Sequence, residues 1–361
     1  MTFRPIVEGK TAQEPLIIAG PCSAETEEQV MDAARQLARQ KVDFFRAGIW
    51  KPRTRPNAFE GVGTEGLAWL RRVKDETGLK VTTEVANTQH VFEALKYGID
   101  VVWLGARTTV NPFSVQEVAD ALKGVDIPVL IKNPINPDLK LWIGAIERIY
   151  KAGITRIGVI HRGFSYHGDT KYRNVPRWQI PIELKRQFPG LPILCDNSHI
   201  CGRRDILQAV AQKAMDLNFN GLMTEVHPTP DEAWSDAEQQ ITPAQYQELM
   251  QHIVFRQPTT DDMEFLENLG HLRHEIDEID EELFNLLSSR MKVAERIGEY
   301  KKRNNIAILQ TTRWNEILER GVAKGQLKGL SEEFITVFLK AIHQESINHQ
   351  EQVMNREDVA G

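Results

Sequence analysis

The sequence contains little cysteine. Cys22, Cys195 and Cys201 are its only cysteines in 361 residues, and they are widely separated. A disulfide framework needs more cysteines at closer spacing, so this usage favours a reducing compartment. Residues 1–20 also lack the basic stretch followed by a long apolar stretch that a signal peptide requires. We therefore expect a cytoplasmic protein.

Long apolar runs and an excess of positive charge are absent as well. No apolar run approaches the roughly 20 residues that a membrane-spanning helix needs, so we expect no membrane partner. The net charge of -6 gives no overall positive field that would attract a nucleic acid, and no nucleic-acid-binding motif is present. No glycine-rich phosphate-binding loop follows an apolar run, which excludes the usual nucleotide sites. Anionic ligands would have to be held by locally placed cations.

Residues 1–254 repeat one pattern, in which a short apolar run is followed by a helical stretch. The runs begin at eight positions: Leu16, Asp43, Lys80, Asp100, Pro128, Arg156, Pro192 and Gly221. Such alternation is typical of βα units that form a parallel sheet, and eight units fit a closed (β/α)8 TIM barrel. An open doubly wound sheet is the alternative α/β fold.

Residues 255–263 form a short polar segment, which we interpret as a linker. The hydrophobic period changes beyond it. From residue 264 to 361, apolar residues recur at steps of three and four, which predicts an all-α domain of three helices. The first helix should run to about residue 302, the second should cover about 312–325, and the third should begin at Ser331, a good N-cap.

Polar residues follow the predicted strands, one strand after another. In a (β/α)8 barrel the active site lies at the C-terminal ends of the strands. Six cations fall at these ends: Arg46, Lys51, Arg53, Arg107, Lys132 and Arg162. One such cation alone would be an ordinary solvated loop residue. Six together imply a polyanionic substrate, most simply two phosphorylated molecules, because arginine and lysine bind phosphate and carboxylate well.

A second group at the strand ends combines a thiol, an imidazole and two carboxylates. Its members are Cys22, His199, Glu225 and Asp236. These donors suit a divalent transition metal, and the thiolate argues against magnesium or calcium. Their spacing in sequence is long, so the site depends on the barrel bringing strands 1, 7 and 8 together. The alternative is a small buried cysteine and a capping histidine.

Several motifs of the barrel resemble a known family. These are AGPCS, RAGIWKPRT, LGART, KNP, HRG, DNSH, GLMTEVHP and SDAEQQ, spread over about residues 15–254. They are similar to the type I 3-deoxy-heptulosonate 7-phosphate synthases, in the short bacterial (beta) subfamily. The resemblance implies condensation of phosphoenolpyruvate with erythrose 4-phosphate at the entry of the shikimate pathway. The sister 3-deoxy-octulosonate 8-phosphate synthases share the barrel but differ at KPRT, and they are the alternative.

The resemblance also implies a role for each matching residue. The metal ligands would be Cys22, His199, Glu225 and Asp236, with manganese as the expected ion and iron, cobalt or zinc as alternatives. The phosphoenolpyruvate ligands would be Arg107, Lys132 and Arg162, with Arg46 and Lys51 near the carboxylate. Arg53 and Thr54 would meet the phosphate of erythrose 4-phosphate. Lys51 would donate a proton to the developing alkoxide, and Glu84 would position the attacking water.

The helical tail resembles the all-helical chorismate mutases over about residues 265–350, through LRHEIDEIDEEL, SSRMKVAERIGEYK, QTTRW and QESINHQ. The implied pocket contains Arg273, Arg290, Lys301, Arg313, Ser346 and Gln350. Lys301 and Gln350 would stabilise the breaking ether oxygen of chorismate as it rearranges to prephenate.

The spacing of the tail cations prevents one straight helix from bringing them all to one small ligand. Arg273 precedes Arg290 by 17 residues, which is about 25 Å along a helix. A second copy running antiparallel could supply Arg273, and the resemblance implies that it comes from a partner chain, in a homodimer or higher homo-oligomer formed by the helical domain. Gln310 and Trp314 stand where the family often has aspartate and glutamate. The alternative is a tail without mutase activity, which dimerises the chain or regulates the barrel by sensing chorismate or prephenate.

Overall fold

The computed structural model describes residues 1–10, 14–51 and 59–356. The chain divides into two compact units between Thr259 and Thr260, inside the predicted linker. Within the described part of the chain, no helix combines the length and hydropathy that crossing a membrane demands.

The first unit is a closed barrel of parallel strands in sequential order. Its strands are β1 Leu16–Gly20, β2 Phe44–Arg46, β3 Lys80–Val85, β4 Val101–Leu104, β5 Val129–Lys132, β6 Ile157–His161, β7 Ile193–Asp196 and β8 Gly221–Glu225. Strand β1 pairs with β8 from Leu16 opposite Gly221 to Gly20 opposite Glu225. This pairing closes the sheet, which confirms the (β/α)8 prediction and excludes the open alternative.

Helices connect these strands on the outside of the barrel. They are α1 Glu27–Leu37, α2 Glu65–Thr77, α3 Thr88–Lys96, α4 Ala106–Thr109, α5 Pro112–Ala121, α6 Leu139–Lys151, α7 Gln179–Gln187, α8 Asn197–Cys201, α9 Leu207–Asp216 and α10 Pro243–His252. Polar caps start several of them, because a side-chain oxygen satisfies an otherwise free backbone N–H. Thr26 caps α1, Asn87 caps α3, and Thr242 forms a capping box with Gln245 at α10.

The barrel interior explains why polar residues gather at its mouth. Buried apolar side chains fill the inside: Ile6, Leu16, Ile18, Phe44, Val101, Trp103, Leu130, Ile160, Leu194 and Met223. Successive strand residues point to opposite faces, so the residue two positions after an inward apolar one also points inward. This register places Arg46, Lys132, Asp196 and Glu225, all buried, at the upper end of the interior.

The second unit consists of α11 Met263–Arg303, α12 Thr311–Gln326 and α13 Glu332–Met354. Asp262 caps α11 and Ser331 caps α13. Helix α13 packs against both α11 and α12. From Leu272 to Leu286, helix α11 carries large apolar side chains that are exposed in the single chain: Leu272, Ile276, Ile279, Leu283 and Leu286. The three-helix, all-α prediction is confirmed.

Candidate functional site

Four potential metal ligands converge at the C-terminal mouth of the barrel. Cys22 lies just after β1, Glu225 ends β8, His199 lies in α8 behind β7, and Asp236 lies in the loop after β8. One donor atom from each lies within 4.8 Å of the other three. Cys22 Sγ is 3.3 Å from Asp236 Oδ2, which is 3.9 Å from His199 Nε2. Barrel closure therefore brings together residues that are far apart in sequence.

The surroundings of these donors fit a divalent transition-metal ion. His199 Nδ1 lies 3.0 Å from Asp196 Oδ1, which orients the ring and directs Nε2 toward Asp236. Glu225 Oε1 is buried and, within the described residues, accepts no hydrogen bond, although it faces Arg46 Nη2 at 3.0 Å. Sulfur, imidazole nitrogen and carboxylate oxygen form the mixed donor set that such an ion prefers.

Cys22 is the protonated member of the group. Burial raises the pKa of its thiol to about 12, and the carboxylate of Glu225 adds to the rise. Lys51 opposes it, with Nζ 2.8 Å from Cys22 Sγ and 2.9 Å from the Cys22 carbonyl oxygen. The lysine pKa is itself raised, because the negative groups around it outweigh its burial. Lys51 is therefore a charged proton donor held beside the thiol.

The other donors are already in ligand form. Burial lowers the pKa of His199, so its imidazole is neutral. Burial alone would raise the pKa of Asp236, but its neighbours outweigh this effect. Besides His199, which acts through its charge only when protonated, the guanidinium of Arg173 and the ammonium of Lys51 hold the pKa of Asp236 well below its usual range. The carboxylate is therefore ionised.

Two of the predicted cations are anchored to buried acids. Arg46 Nη2 lies 3.0 Å from Glu225 Oε1 and donates to the Cys22 carbonyl oxygen at 3.2 Å. Lys132 Nζ donates to Asp196 Oδ2 at 2.8 Å. These pairs fix both cations at the mouth, because a buried charge is stable only when it is paired.

The positive charge of Arg162 is less fully balanced by nearby acids, and other cations lie close to it. Burial lowers its pKa to about 10, and the charges of Arg173 and Arg107 contribute to the decrease. Its Nη1 donates to Asn174 Oδ1 at 2.6 Å, and its backbone N–H donates to Asn133 Oδ1 at 2.7 Å. Crowded positive charge of this kind favours an anion such as phosphate. Arg53 and Thr54 lie outside the described residues.

Glu84, at the end of β3, has a closely fitted environment. Its Oε2 accepts a hydrogen bond from Trp103 Nε1 at 2.9 Å. A Cβ atom at Gly105 would lie 2.1 Å from Glu84 Oε1. Only glycine at this position leaves room for the carboxylate.

Sequence reasoning missed two residues that touch the ligand group. Gln239 Nε2 donates to Glu225 Oε2 at 2.6 Å, and Arg173 donates to Gln239 at 2.6 Å and to Asp236 at 3.1 Å. Gln239 belongs to the SDAEQQ motif, which could have identified it. Arg173 lies in a long loop after β6, where no strand end or period marks it.

The helical unit brings together part of its predicted pocket. Arg290 Nη1 donates to Ser346 Oγ, and Gln350 Nε2 donates to the Ser346 carbonyl oxygen at 3.2 Å. Ser346 and Gln350 are buried, and burial lowers the pKa of Arg290. Gln350 Oε1 is buried and, in the described part of the chain, has no donor.

The remaining predicted residues of the helical unit are less enclosed. Lys301 Nζ donates to the Ile308 carbonyl oxygen, and burial lowers its pKa. Arg313 is exposed and pairs with Glu316 at 2.9 Å. Arg273 is exposed on α11, about 25 Å along the helix from Arg290, so a single chain does not bring it to the pocket. Trp314 stacks on His343, with ring centroids 4.1 Å apart.

Comparisons with known proteins match both units. Residues 3–257 match the DAHP synthetase I family, and residues 272–351 match the family chorismate mutase type II. The chain is 33% identical over 237 residues to phospho-2-dehydro-3-deoxyheptonate aldolase of Thermotoga maritima, which covers 66% of this chain and 68% of that protein. It is 28% identical over 272 residues to 2-dehydro-3-deoxyphosphooctonate aldolase of Vesicomyosocius okutanii, over 70% of this chain and 94% of that one.

Solved structures give the same result. A crystal structure of the Thermotoga maritima DAHP synthase aligns with a TM-score of 0.62 and 31% identity, over 69% of this chain and 71% of that one. A truncated form of the 3-deoxy-D-arabino-heptulosonate 7-phosphate synthase from Thermotoga maritima aligns with a TM-score of 0.60 and 29% identity, over 69% and 90% of the two chains.

Proposed function

Because the chain belongs to the DAHP synthetase I family and continues into a chorismate mutase type II domain, we propose that it catalyses two reactions of aromatic amino-acid biosynthesis. The barrel condenses phosphoenolpyruvate with D-erythrose 4-phosphate to 3-deoxy-D-arabino-heptulosonate 7-phosphate (DAHP) and phosphate. The helical unit rearranges chorismate to prephenate. The observation that carries the first activity is the cluster of Cys22, His199, Glu225 and Asp236 beside buried cations at the barrel mouth.

The octulosonate alternative for the barrel is not supported. The matching family is that of the DAHP synthetases, and the Thermotoga heptulosonate enzyme is more similar to this chain than the octulosonate enzymes that it also matches, at 33% against 28% identity.

We assign a divalent metal ion to the group of Cys22, His199, Glu225 and Asp236, with manganese first and iron, cobalt or zinc as alternatives. When bound there, the ion supplies Lewis acidity toward the aldehyde oxygen of erythrose 4-phosphate. Asp196 supports the site by holding the ring of His199.

The cations at the barrel mouth bind the two anionic substrates. Arg107, Lys132 and Arg162 hold phosphoenolpyruvate, while Arg46 and Lys51 lie near its carboxylate. Arg53 and Thr54 take the phosphate of erythrose 4-phosphate. Arg46 and Lys132 are already anchored by acids, so little ordering remains when substrate binds. Holding two reactants in attack geometry contributes up to about 7–11 kcal/mol in favourable cases.

Two residues are assigned to proton and water handling. Lys51 is charged, because its pKa is raised, so it can donate a proton to the alkoxide that forms from the aldehyde. Glu84 positions the water that attacks C2 of the substrate, and its carboxylate is held by Trp103.

The mutase pocket is assigned by the same reasoning. Arg290, Lys301 and Arg313, with Arg273 of the partner subunit, hold the two carboxylates of chorismate in its compact conformation. Lys301 and Gln350 stabilise the breaking ether oxygen, and Ser346 orients Arg290. The exposed apolar face of α11 supports a homodimer or higher homo-oligomer, because a soluble chain rarely leaves so many large apolar side chains in water.

The experiment that tests the two activities measures both in one sample. We expect phosphoenolpyruvate consumption with erythrose 4-phosphate to exceed that with arabinose 5-phosphate, and chorismate to be converted to prephenate. A preference for arabinose 5-phosphate would contradict the barrel assignment. Stable chorismate would leave the helical unit as a dimerisation or sensing module.

A further inference from the structure

Trp103 lies in the floor of the barrel mouth and belongs to no predicted group. It is in the middle of β4, its side chain points into the barrel, and it is 1% exposed. The other members of the inner core are aliphatic or phenylalanine side chains with no polar atom to place, except for the sulfur of Met223. Trp103 therefore brings one hydrogen-bond donor and one large aromatic face to the boundary between core and active site.

The indole N–H has one defined acceptor. Trp103 Nε1 donates to Glu84 Oε2 at 2.9 Å. The other carboxylate oxygen faces Gly105, where an added Cβ would lie 2.1 Å from Oε1. The carboxylate of Glu84 is therefore confined between the side chain of Trp103 and the backbone of Gly105. This hydrogen bond is half-buried, and together with the close fit at Gly105 it limits the orientations open to the Glu84 carboxylate.

The face of the same indole meets two cations from other strands. Arg46 Cζ lies 5.1 Å from the ring centroid, and Lys132 Nζ lies 5.7 Å from it. Arg46 Nε and Nη1 are buried and, among the described residues, have no hydrogen-bond acceptor. The ring supplies a favourable surface for this guanidinium, since a cation over an indole is stabilised by the ring quadrupole.

We propose that Trp103 is a positioning residue of the synthase, which orients Glu84 through its indole N–H and holds Arg46 and Lys132 through its ring face. This inference rests on the proposed function of those three residues. One side chain on β4 thereby sets the relative placement of a residue on β3 that handles water and of residues on β2 and β5 that bind the substrate.

The two contacts predict separable kinetic effects. Trp103→Phe keeps an aromatic face and removes the N–H, so we expect kcat to fall about tenfold while KM for phosphoenolpyruvate stays within about twofold. Trp103→Leu removes both contacts, so we expect KM for phosphoenolpyruvate to rise by about fivefold or more in addition to the loss in kcat. A residue that only fills space would change the folded fraction and leave both constants of the folded enzyme unaltered.

A double-mutant cycle links the N–H to its acceptor. If Trp103 acts through Glu84, Trp103→Phe should cost no more than about twofold in kcat when Glu84 is already alanine. Trp142 provides the matched control, because it is fully buried and its Nε1 donates to the Ile131 carbonyl oxygen at 3.2 Å, in the outer core. Trp142→Phe should leave kcat and KM unchanged. Mutase activity in each sample normalises the protein concentration, and thermal unfolding reports the folded state.

The outcomes separate this inference from the function on which it rests. Wild-type kcat in Trp103→Phe would overturn the role of the N–H, and an unchanged KM in folded Trp103→Leu would overturn the role of the ring. If Trp103→Leu does not fold, Trp103→Phe and the double-mutant cycle still test the role of the N–H. Trp103→Phe should fold, because phenylalanine retains most of the ring volume. Full kcat in Glu84→Ala alone would instead remove the role assigned to Glu84.

Discussion

In the proposed metal site, Cys22 is the residue that would select among metal ions. It is buried between Lys51 and Asp236, and its sulfur is the one soft donor of the ligand group. The other two cysteines are also buried but lie outside this group. Cys22, the proposed ligand, can therefore be compared with Cys201, which packs in the outer core.

We expect Cys22→Ala to lose metal binding and metal-dependent turnover, because removal of the sulfur donor leaves three donors of which two are carboxylates. Bound metal per chain after dialysis against manganese measures the first effect, and phosphoenolpyruvate consumption measures the second. Cys201→Ala is the control and should retain both. Full activity of Cys22→Ala at ordinary metal levels would remove the metal assignment.

Much of the candidate site could be predicted from residue positions. Arg46, Lys132 and Glu225 each follow an inward apolar residue by two positions, so strand alternation alone directs them into the mouth. Trp103 could not be identified in this way, because a tryptophan inside an apolar run is typical of a residue of the hydrophobic core. Arg173 could not be placed either, because loop conformation decides where its guanidinium goes.

Among the secondary-structure elements, β1 and β8 approach each other closely, and closure of the barrel depends on this approach. A Cβ atom at Gly221 would lie 1.9 Å from the Leu16 carbonyl oxygen. Glycine is therefore required there for steric reasons, and this pairing carries Cys22 and Glu225 toward each other.

We predict that Gly221→Ala destabilises the barrel by about 1–3 kcal/mol, because the strands must separate to admit the methyl group. Urea unfolding followed by tryptophan fluorescence measures it, since Trp314 is the only tryptophan after residue 260 and the signal reports mainly the barrel. Gly190→Ala is the matched control, because a Cβ there meets no atom within 4 Å. Equal midpoints for the two variants would contradict this view of closure.

The long helix α11 carries an apolar stripe along one face. Its apolar stripe was predictable, because residues such as Ile276 and Ile279 recur at helical spacing. The bounds of the helix were predictable to within a few residues for the same reason. The sequence pattern alone does not say whether the stripe is covered by the chain itself or by a second copy. In the single chain, it is exposed.

Ile279→Asp should disrupt the proposed dimer and lower mutase activity, because it places a charge in the interface that would bring Arg273 of the partner subunit to the pocket. Ile279 is 58% exposed in the single chain, so the change should not unfold the helix. Light scattering coupled to gel filtration measures the mass, and Glu282→Ala serves as a surface control. An Ile279→Asp variant that keeps the mass of the wild type would contradict the interface.

At the scale of the whole molecule, one chain joins the first step of a pathway to a later one. Prephenate, the product of the helical unit, lies downstream of DAHP. A helical unit that binds prephenate could therefore report the state of the pathway to the barrel on the same chain. This regulatory hypothesis is compatible with mutase catalysis, because the same pocket would serve both roles.

The hypothesis predicts that prephenate slows phosphoenolpyruvate consumption by the full chain. Arg290→Ala should abolish this response, because the guanidinium that Ser346 orients would no longer hold a carboxylate. Arg320→Ala, which changes an exposed cation of α12, should retain it. A response that is identical in both variants would show that prephenate does not act through the helical pocket.

Metal-dependent condensation in the barrel can be tested in a single assay. The full-length protein is stripped of metal and assayed for phosphoenolpyruvate consumption with erythrose 4-phosphate, before and after addition of manganese. We predict that consumption requires both the sugar phosphate and the metal, because the four-ligand group and the cations act on the two substrates together. Consumption that continues unchanged without metal, or that fails to appear after manganese is restored, would contradict it.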